Sequence, residues 1–254
     1  MGFVGGDRGK ELLAILASRG IDTDFVPVAA PTRLCISVLD QSSQAVTELV
    51  EESKTVAASD YEALKTRIQK RLRGSEAIVM SGSLTPGGPI DFYRQVTHAG
   101  RELGILTLVD AQGPPLSEAL KAKPTLVKPN RAELAATVGR SLPNEGELIA
   151  AMREVLQRGA ERIVVTAGKL PILALDEGNL WRIHSPTVPV VNPIGSGDAF
   201  TAGLVWRLVR KETLGEACRC AAAAGTANAL SVMPGELDRR DVERLANDVT
   251  LENL

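Results

Sequence analysis

Aromatic, sulfur-bearing and histidine side chains are scarce in this sequence, and charge of either sign barely prevails. Aromatic residues make up 3% of 254, with three cysteines and two histidines. Cys35, Cys218 and Cys220 are odd in number and form no C-x-x-C pair, which argues against a disulfide framework or a zinc centre; they read as reduced core residues. His98 and His184 lie far apart with no metal-ligand spacing and receive no role. A net charge of -2 supplies no field for nucleic acid or an anionic membrane. No apolar run approaches the roughly 20 residues of a transmembrane helix. The opening Met1-Gly2-Phe3-Val4-Gly5-Gly6-Asp7 lacks the regions of a signal peptide, and Gly6 stands where myristoylation needs Ser or Thr. The expected location is therefore the cytoplasm, with neither nucleic acid nor membrane as a partner. Hydrophobic residues at 44% and charged ones at 24% are ordinary for a globular chain. At this length it can bury about 70–75% of its unfolded surface.

The stretch that organises the chain is Val190-Val191-Asn192-Pro193-Ile194-Gly195-Ser196-Gly197-Asp198-Ala199-Phe200. Val188 to Val191 reads as the end of a strand, Asn192-Pro193 stops it, and a helical pattern runs from Asp198 through Trp206 and Val209. Two glycines around Ser196 allow a tight turn with outward-facing amides, and the helix start adds unpaired donors and a positive dipole end. Such a turn binds anions. A carboxylate at Asp198, beside a bound phosphate, suits deprotonation of an attacking hydroxyl. Taken alone, Gly-Ser-Gly-Asp is equally a plain helix cap. The P-loop is excluded because Asp198-Ala199 replaces its Lys-Ser/Thr, and the dinucleotide fingerprint because Phe200 replaces its third glycine.

This run resembles the second signature of the ribokinase-like sugar kinases of the phosphofructokinase B type. The resemblance implies an anion hole from Gly195, Ser196 and Gly197, with Asp198 as catalytic base. It extends over nearly the whole chain. Thr32-Arg33 resembles a pair whose arginine holds a substrate phosphate, although Cys35 stands where the family has asparagine. Ser81-Gly82-Ser83-Leu84-Thr85-Pro86-Gly87, followed by Asp91-Phe92-Tyr93, resembles the 1-phosphofructokinase and tagatose-6-phosphate kinase branch, and implies that Ser83 contacts the substrate phosphate. Lys128-Pro129-Asn130-Arg131-Ala132-Glu133 matches an Asn-x-x-Glu motif, implying that Asn130 and Glu133 order Mg2+ through its waters. The same proline and glutamate also suit a plain helix N-terminus. Thr166 and Gly168 match a nucleotide-facing Ser/Thr-x-Gly, and Asn228 is expected near the adenine. The implied cofactors are ATP and Mg2+, and the implied substrate is a hexose phosphate: fructose 1-phosphate, fructose 6-phosphate or tagatose 6-phosphate. A nucleotide-dependent dehydrogenase is the competing enzyme class, and an inactive relative that still binds nucleotide is the non-enzyme alternative.

Local patterns predict the frame. Helices are expected over Lys10 to Arg19, with Leu12, Leu13, Leu16 and Ala17 inward, and over Asp60 to Arg73, with Tyr61, Leu64, Ile68 and Leu72 inward and a solvated basic face. Further helices start at Ile90 and span Leu116 to Lys121, Glu147 to Arg158, Leu214 to Leu230 and Asp238 to Asn247. Strands are expected at Glu76–Met80, Ile105–Val109, Leu126–Val127 and Arg162–Thr166, with a hairpin of Leu173–Leu175 and Leu180–Ile183. Strand and helix alternate from Glu76 to Arg210, which predicts a single α/β domain over residues 1–254: a doubly wound, mainly parallel sheet with helices on both faces. Arg33–Leu39 and Ala45–Glu52, turning at Gln41-Ser42-Ser43-Gln44, predict a hairpin with one polar face, so residues 32–52 form a partial β lid. An exposed lid of this kind is expected to pair with a second copy. The resemblance also implies a core strand with a sugar-binding aspartate, a Gly-Gly-Lys-Gly-x-Asn motif and more of the lid ahead of Gly2, none of which has a counterpart here. The chain is thus expected to be an amino-terminal truncation that keeps the nucleotide half of the site and little kinase activity.

Overall fold

The computed structural model describes residues 1–40 and 46–254, so the turn expected at Gln41–Gln44, with Ala45, lies outside the described residues. The chain divides into two compact units: Met1–Ser75 with Ser83–Phe92, and Glu76–Gly82 with Tyr93–Leu254.

The smaller unit opens with β1 (Phe3–Val4) and α1 (Gly6–Ser18), then β2 (Val26–Pro27), which runs parallel to β1. Neither short strand was legible in the glycine-rich opening. Helix α1 starts earlier than expected and lies less deep: Leu12, Leu13 and Leu16 are half-buried, Ala17 is exposed, and only Gly9 is fully covered. Strands β3 (Cys35–Leu39) and β4 (Val46–Val50) pair antiparallel with Ile36 opposite Leu49 and Ser37 opposite Glu48. The expected polar face is apolar at its ends, since Cys35–Val50 and Leu39–Val46 flank Ser37–Glu48 on it. Helix α2 (Ala58–Leu72) buries the four predicted residues. Its basic face is not merely solvated. Arg67 donates to Asp24 at 2.8 Å and Arg71 to Asp22 at 3.0 Å.

The larger unit is built on one mixed sheet. Its strands are β5 (Ala77–Ser81), β6 (Leu106–Asp110), β7 (Leu126–Val127), β8 (Ile163–Val165), β9 (Ile172–Leu175), β10 (Leu180–His184) and β11 (Thr250–Asn253), side by side in that order. Pairing is parallel from β5 to β8 and antiparallel from β8 to β11. The switch falls where a short turn at residues 167–171 replaces a crossover helix, because close antiparallel neighbours need only a turn. The predicted strand at Val188–Val191 does not form. The amides of Val191 and Asn192 instead both donate to the Ala229 carbonyl, at 2.8 and 3.2 Å.

Helices α3 (Phe92–Glu102), α4 (Gly113–Leu120), α5 (Arg131–Val138), α6 (Glu145–Gln157), α7 (Ser196–Leu208), α8 (Leu214–Asn228) and α9 (Arg239–Ala246) lie on both sides of the sheet. Leu108, Leu126, Val164, Ala174 and Ile183 form one continuous core with Leu204 of α7, the alanines of α8 and Leu245 of α9. Thr107 points the other way, against Gly100 of α3. Helices α7 and α8 touch almost backbone to backbone: a Cβ at Gly203 would lie 3.1 Å from Ala221 Cα, and one at Gly225 3.0 Å from the Ser196 carbonyl oxygen. Among the described residues no helix is long and apolar enough to cross a membrane.

Candidate active site

The glycine turn that opens α7 is held by side chains on both sides of it. Asn192, 3% exposed, accepts the Ile194 amide at 3.0 Å and donates to the Val232 carbonyl at 2.8 Å. Gly195 adopts φ 81°, a left-handed conformation that costs a residue with a Cβ about 1–2 kcal/mol, and Pro234 would sit 3.0 Å from that Cβ. Ser196 donates its amide to Pro193 and Ala199 to Gly195. The amides of Gly197 and Asp198 have no acceptor among the described residues. A Cβ on Gly197 would meet nothing within 4 Å. The fold itself does not require glycine there. Asp198 stands exposed in the first turn, beside those amides.

Asn228, at the end of α8, is fully buried and works from behind the turn. It donates to the Ile194 carbonyl at 2.8 Å and accepts the Gly235 amide at 2.8 Å. Its amide is thus committed to holding the turn and the 234–236 loop together. In front of that loop opens a crevice of about 770 Å³, lined by Ala227, Leu230, Ser231, Leu237 and Asp241 among others.

Asn130 and Glu133 form a reciprocal capping box at the start of α5: Asn130 accepts the Glu133 amide at 2.9 Å, and Glu133 accepts the Asn130 amide at 2.7 Å. Thr166 lies alongside, its carbonyl accepting the Arg131 amide at 2.9 Å in a parallel bridge with Asn130. Gly168 follows with φ 61° and open space around it. The two sequence motifs therefore meet through their backbones.

Between them and α7 sits a buried cluster that the sequence did not reveal. Asp110 ends β6, and its carboxylate lies 3.0 Å from Lys128 Nζ and accepts from the Thr201 hydroxyl at 3.2 Å. Burial pushes the Asp110 carboxyl above the ordinary carboxylate range, opposed by the Lys128 ammonium. Lys128 is 4% exposed, which a lysine tolerates only when paired. No signal in the local sequence joins residues from β6, the end of β7 and α7.

The smaller unit carries the two candidate sugar-side residues. Thr32 is stapled to the start of α1, its hydroxyl accepting the Gly5 amide at 3.1 Å and its own amide donating to the Gly5 carbonyl at 2.9 Å. Gly5 is obligatory in that contact, because a Cβ would lie 2.0 Å from the Ala30 carbonyl oxygen. On the other side of Arg33, the Leu34 amide donates to Glu51 at 2.9 Å. Arg33 is thus fixed at its backbone and exposed at its side chain. Ser83 is exposed on a loop that α2 holds: the Thr85 amide donates to the Tyr61 hydroxyl at 3.0 Å, and Gly88 leaves room for that ring. Tyr61 was legible only as a core residue.

Among the described residues no group of three or more His, Cys, Asp or Glu side chains could cage a metal ion. A magnesium ion that keeps its waters and leans on one carboxylate and on phosphate oxygens needs no such cage, and Glu133 fits that donor chemistry.

The profile of the "pfkB family carbohydrate kinase" matches residues 1–236. A tagatose-6-phosphate kinase of Staphylococcus epidermidis is 32% identical over 240 residues, spanning 93% of this chain and 77% of that protein. The tetrameric inhibited form of phosphofructokinase-2 from Escherichia coli superposes with a TM-score of 0.88 at 28% identity, over 97% of this chain and 80% of that one. A possible 1-phosphofructokinase from Thermotoga maritima shares the fold with a TM-score of 0.90 at 23% identity, over 99% and 81%. With the glycine turn, its aspartate and a match over most of its length, this chain belongs to the pfkB family of carbohydrate kinases and is a phosphotransferase.

Proposed function

We propose that the chain transfers the γ-phosphoryl group of ATP to a hydroxyl of a hexose phosphate. The observation that carries this reading is the turn at Gly195–Asp198, where unpaired amides at a helix start stand beside an exposed carboxylate. Asp198 takes the proton of the acceptor hydroxyl as the new O–P bond forms and the bond to the ADP oxygen breaks. The Gly197 and Asp198 amides offset charge on the transferring group. Asn130 and Glu133 would hold the water shell of Mg2+, which would supply charge neutralisation at the phosphate oxygens. Thr166, Gly168 and the crevice beside Asn228 receive the nucleotide.

The hexose phosphate is supported by the 32% identical tagatose-6-phosphate kinase and by phosphofructokinase-2, together with Arg33 and Ser83, a guanidinium and a hydroxyl held out on anchored backbone. The exposed apolar residues of the β3–β4 hairpin, Ile36, Val38, Leu49 and Val50, suit pairing with a second copy of the chain. Transfer of label from ATP to a panel of hexose phosphates and free sugars tests the activity, with nucleotide binding followed in parallel. Transfer to tagatose or fructose phosphates is expected. Binding without transfer to any sugar returns the chain to the class of inactive nucleotide binders, and transfer to free sugars alone overturns the choice of substrate.

A further inference from the structure

The charge pair of the buried Lys128 and the largely covered Asp110 has no part in the chemistry just described, and as a source of stability it is a poor choice. Two desolvated charges seldom outperform apolar residues of the same volume. Its place in the fold gives it another role. Asp110 ends β6, and Lys128 follows β7, two residues before Asn130. The hydroxyl reaching the Asp110 carboxylate belongs to Thr201, which is 5% exposed and lies three residues after Asp198 on the same face of α7. Thr201 also approaches the Gly197 carbonyl at 3.0 Å, so one hydroxyl sits between the sheet's carboxylate and the turn that carries the free amides.

We propose that Asp110 is a positioning residue: clamped by Lys128, it holds Thr201 and thereby fixes the first turn of α7, with Asp198, against the segment bearing Asn130 and Glu133. Lys128, 3.0 Å from the carboxylate, orients the acceptor, and the ends of two strands supply a rigid base. A ligand-bearing helix turn anchored only by its own backbone would fray, and misplacement of a reacting group by about 1 Å can cost 10²-fold in rate. This inference rests on the kinase reading for its kinetic consequence, and on geometry alone for the anchoring.

The test uses the full chain with three changes: Thr201→Val, Thr201→Ser, and the double variant Asp110→Leu with Lys128→Met. The double variant removes the charges while leaving the contact of Thr201 with Gly197 in place. Amide exchange of Ala199 and Phe200 is measured without substrate, and kcat and KM are measured for ATP and the best hexose phosphate. Thr201→Val and the double variant are expected to exchange at least ten times faster at those amides and to lose at least ten-fold in kcat, with both KM values within about two-fold; Thr201→Ser should stay near the parent on every measure. If the double variant does not fold, the Val and Ser pair still decides. Unchanged exchange in Thr201→Val, or a folded double variant with parental kcat, overturns the proposal. A parent chain that transfers no phosphate counts against the kinase reading, while the exchange data continue to judge the anchor.

Discussion

Gly203 of α7 faces Ala221 of α8 so closely that a single methyl group on the glycine would lie 3.1 Å from the alanine Cα and 3.1 Å from Ala224 Cβ. The helix that begins at the Gly195–Asp198 turn is therefore seated, at this contact, by the absence of a side chain. Gly203→Val forces α7 from α8 and is expected to destabilise the chain by about 1–3 kcal/mol, or several degrees in melting temperature. An unchanged melting temperature would mean that the two helices separate at little cost.

Asp198→Asn keeps the shape of the first turn of α7 and removes the carboxylate proposed as base. Turnover is expected to fall about 10²- to 10⁴-fold, roughly 2.7–5.5 kcal/mol of barrier, with ATP affinity close to the parent's. Steady-state kinetics beside nucleotide titration decides this. Parental turnover would leave Asp198 only the favourable placement of a negative charge in the first turn of α7.

Glu133→Gln preserves the capping box, since an amide oxygen also accepts the Asn130 amide, and deletes only the charge. Helix α5 should remain intact while the magnesium concentration for half-maximal rate rises several-fold. A titration of magnesium at fixed ATP with the same midpoint in both proteins would leave Glu133 a structural cap.

Arg33→Ala removes a cation whose backbone neighbours are already anchored by Gly5 and Glu51, so the fold should not register the loss. KM for a hexose phosphate is expected to rise at least ten-fold, with KM for ATP unchanged. Equal effects on both substrates would show that Arg33 does not read the sugar's phosphate.

Arg182 bridges Glu145 at the start of α6 and Glu252 of β11, and its guanidinium holds both carboxyls below the ordinary glutamate value of 4.5. Carboxyls depressed in the folded state add stability above their unfolded value and lose it as pH falls through the folded one. The melting temperatures of the parent and Arg182→Gln should therefore differ most above about pH 5 and converge in more acid solution. A difference that widened on acidification would refute the assignment.

What the sequence disclosed was local chemistry. Gly195-Ser196-Gly197-Asp198 announces a tight turn and a helix start in adjacent residues, and the apolar spacing of Tyr61, Leu64, Ile68 and Leu72 marks one face of α2 without reference to any other segment. Arrangements made between distant segments were silent. Asp110 and Thr201 lie 91 positions apart, and nothing near either one signals the other. Strand β11, Thr250–Asn253, is short and mostly exposed, so its pattern is weak and pairing with β10 makes it a strand. The reverse error occurred at Val188–Val191, where β-branched residues suggest a strand but the Val191 amide donates to the Ala229 carbonyl at the end of α8 rather than to a strand.

The contact between α7 and α8 is closest where it is made of backbone, Gly203 against Ala221 and Gly225 against the Ser196 carbonyl, with Phe200 and Leu204 packed beside these points. Where large side chains interdigitate, a change of volume is absorbed by repacking over several residues; at the two glycine contacts no side chain of α7 or α8 intervenes, so a displacement of α8 there bears directly on the backbone of the other helix. Asn228 rides on the same helix and grips the Ile194 carbonyl, so α8 acts on the anion turn at both its base and its rim. The two helices and the turn should then respond to perturbation as one lever, and substitutions on the outer face of α8 should alter phosphate affinity more readily than comparable changes on α9.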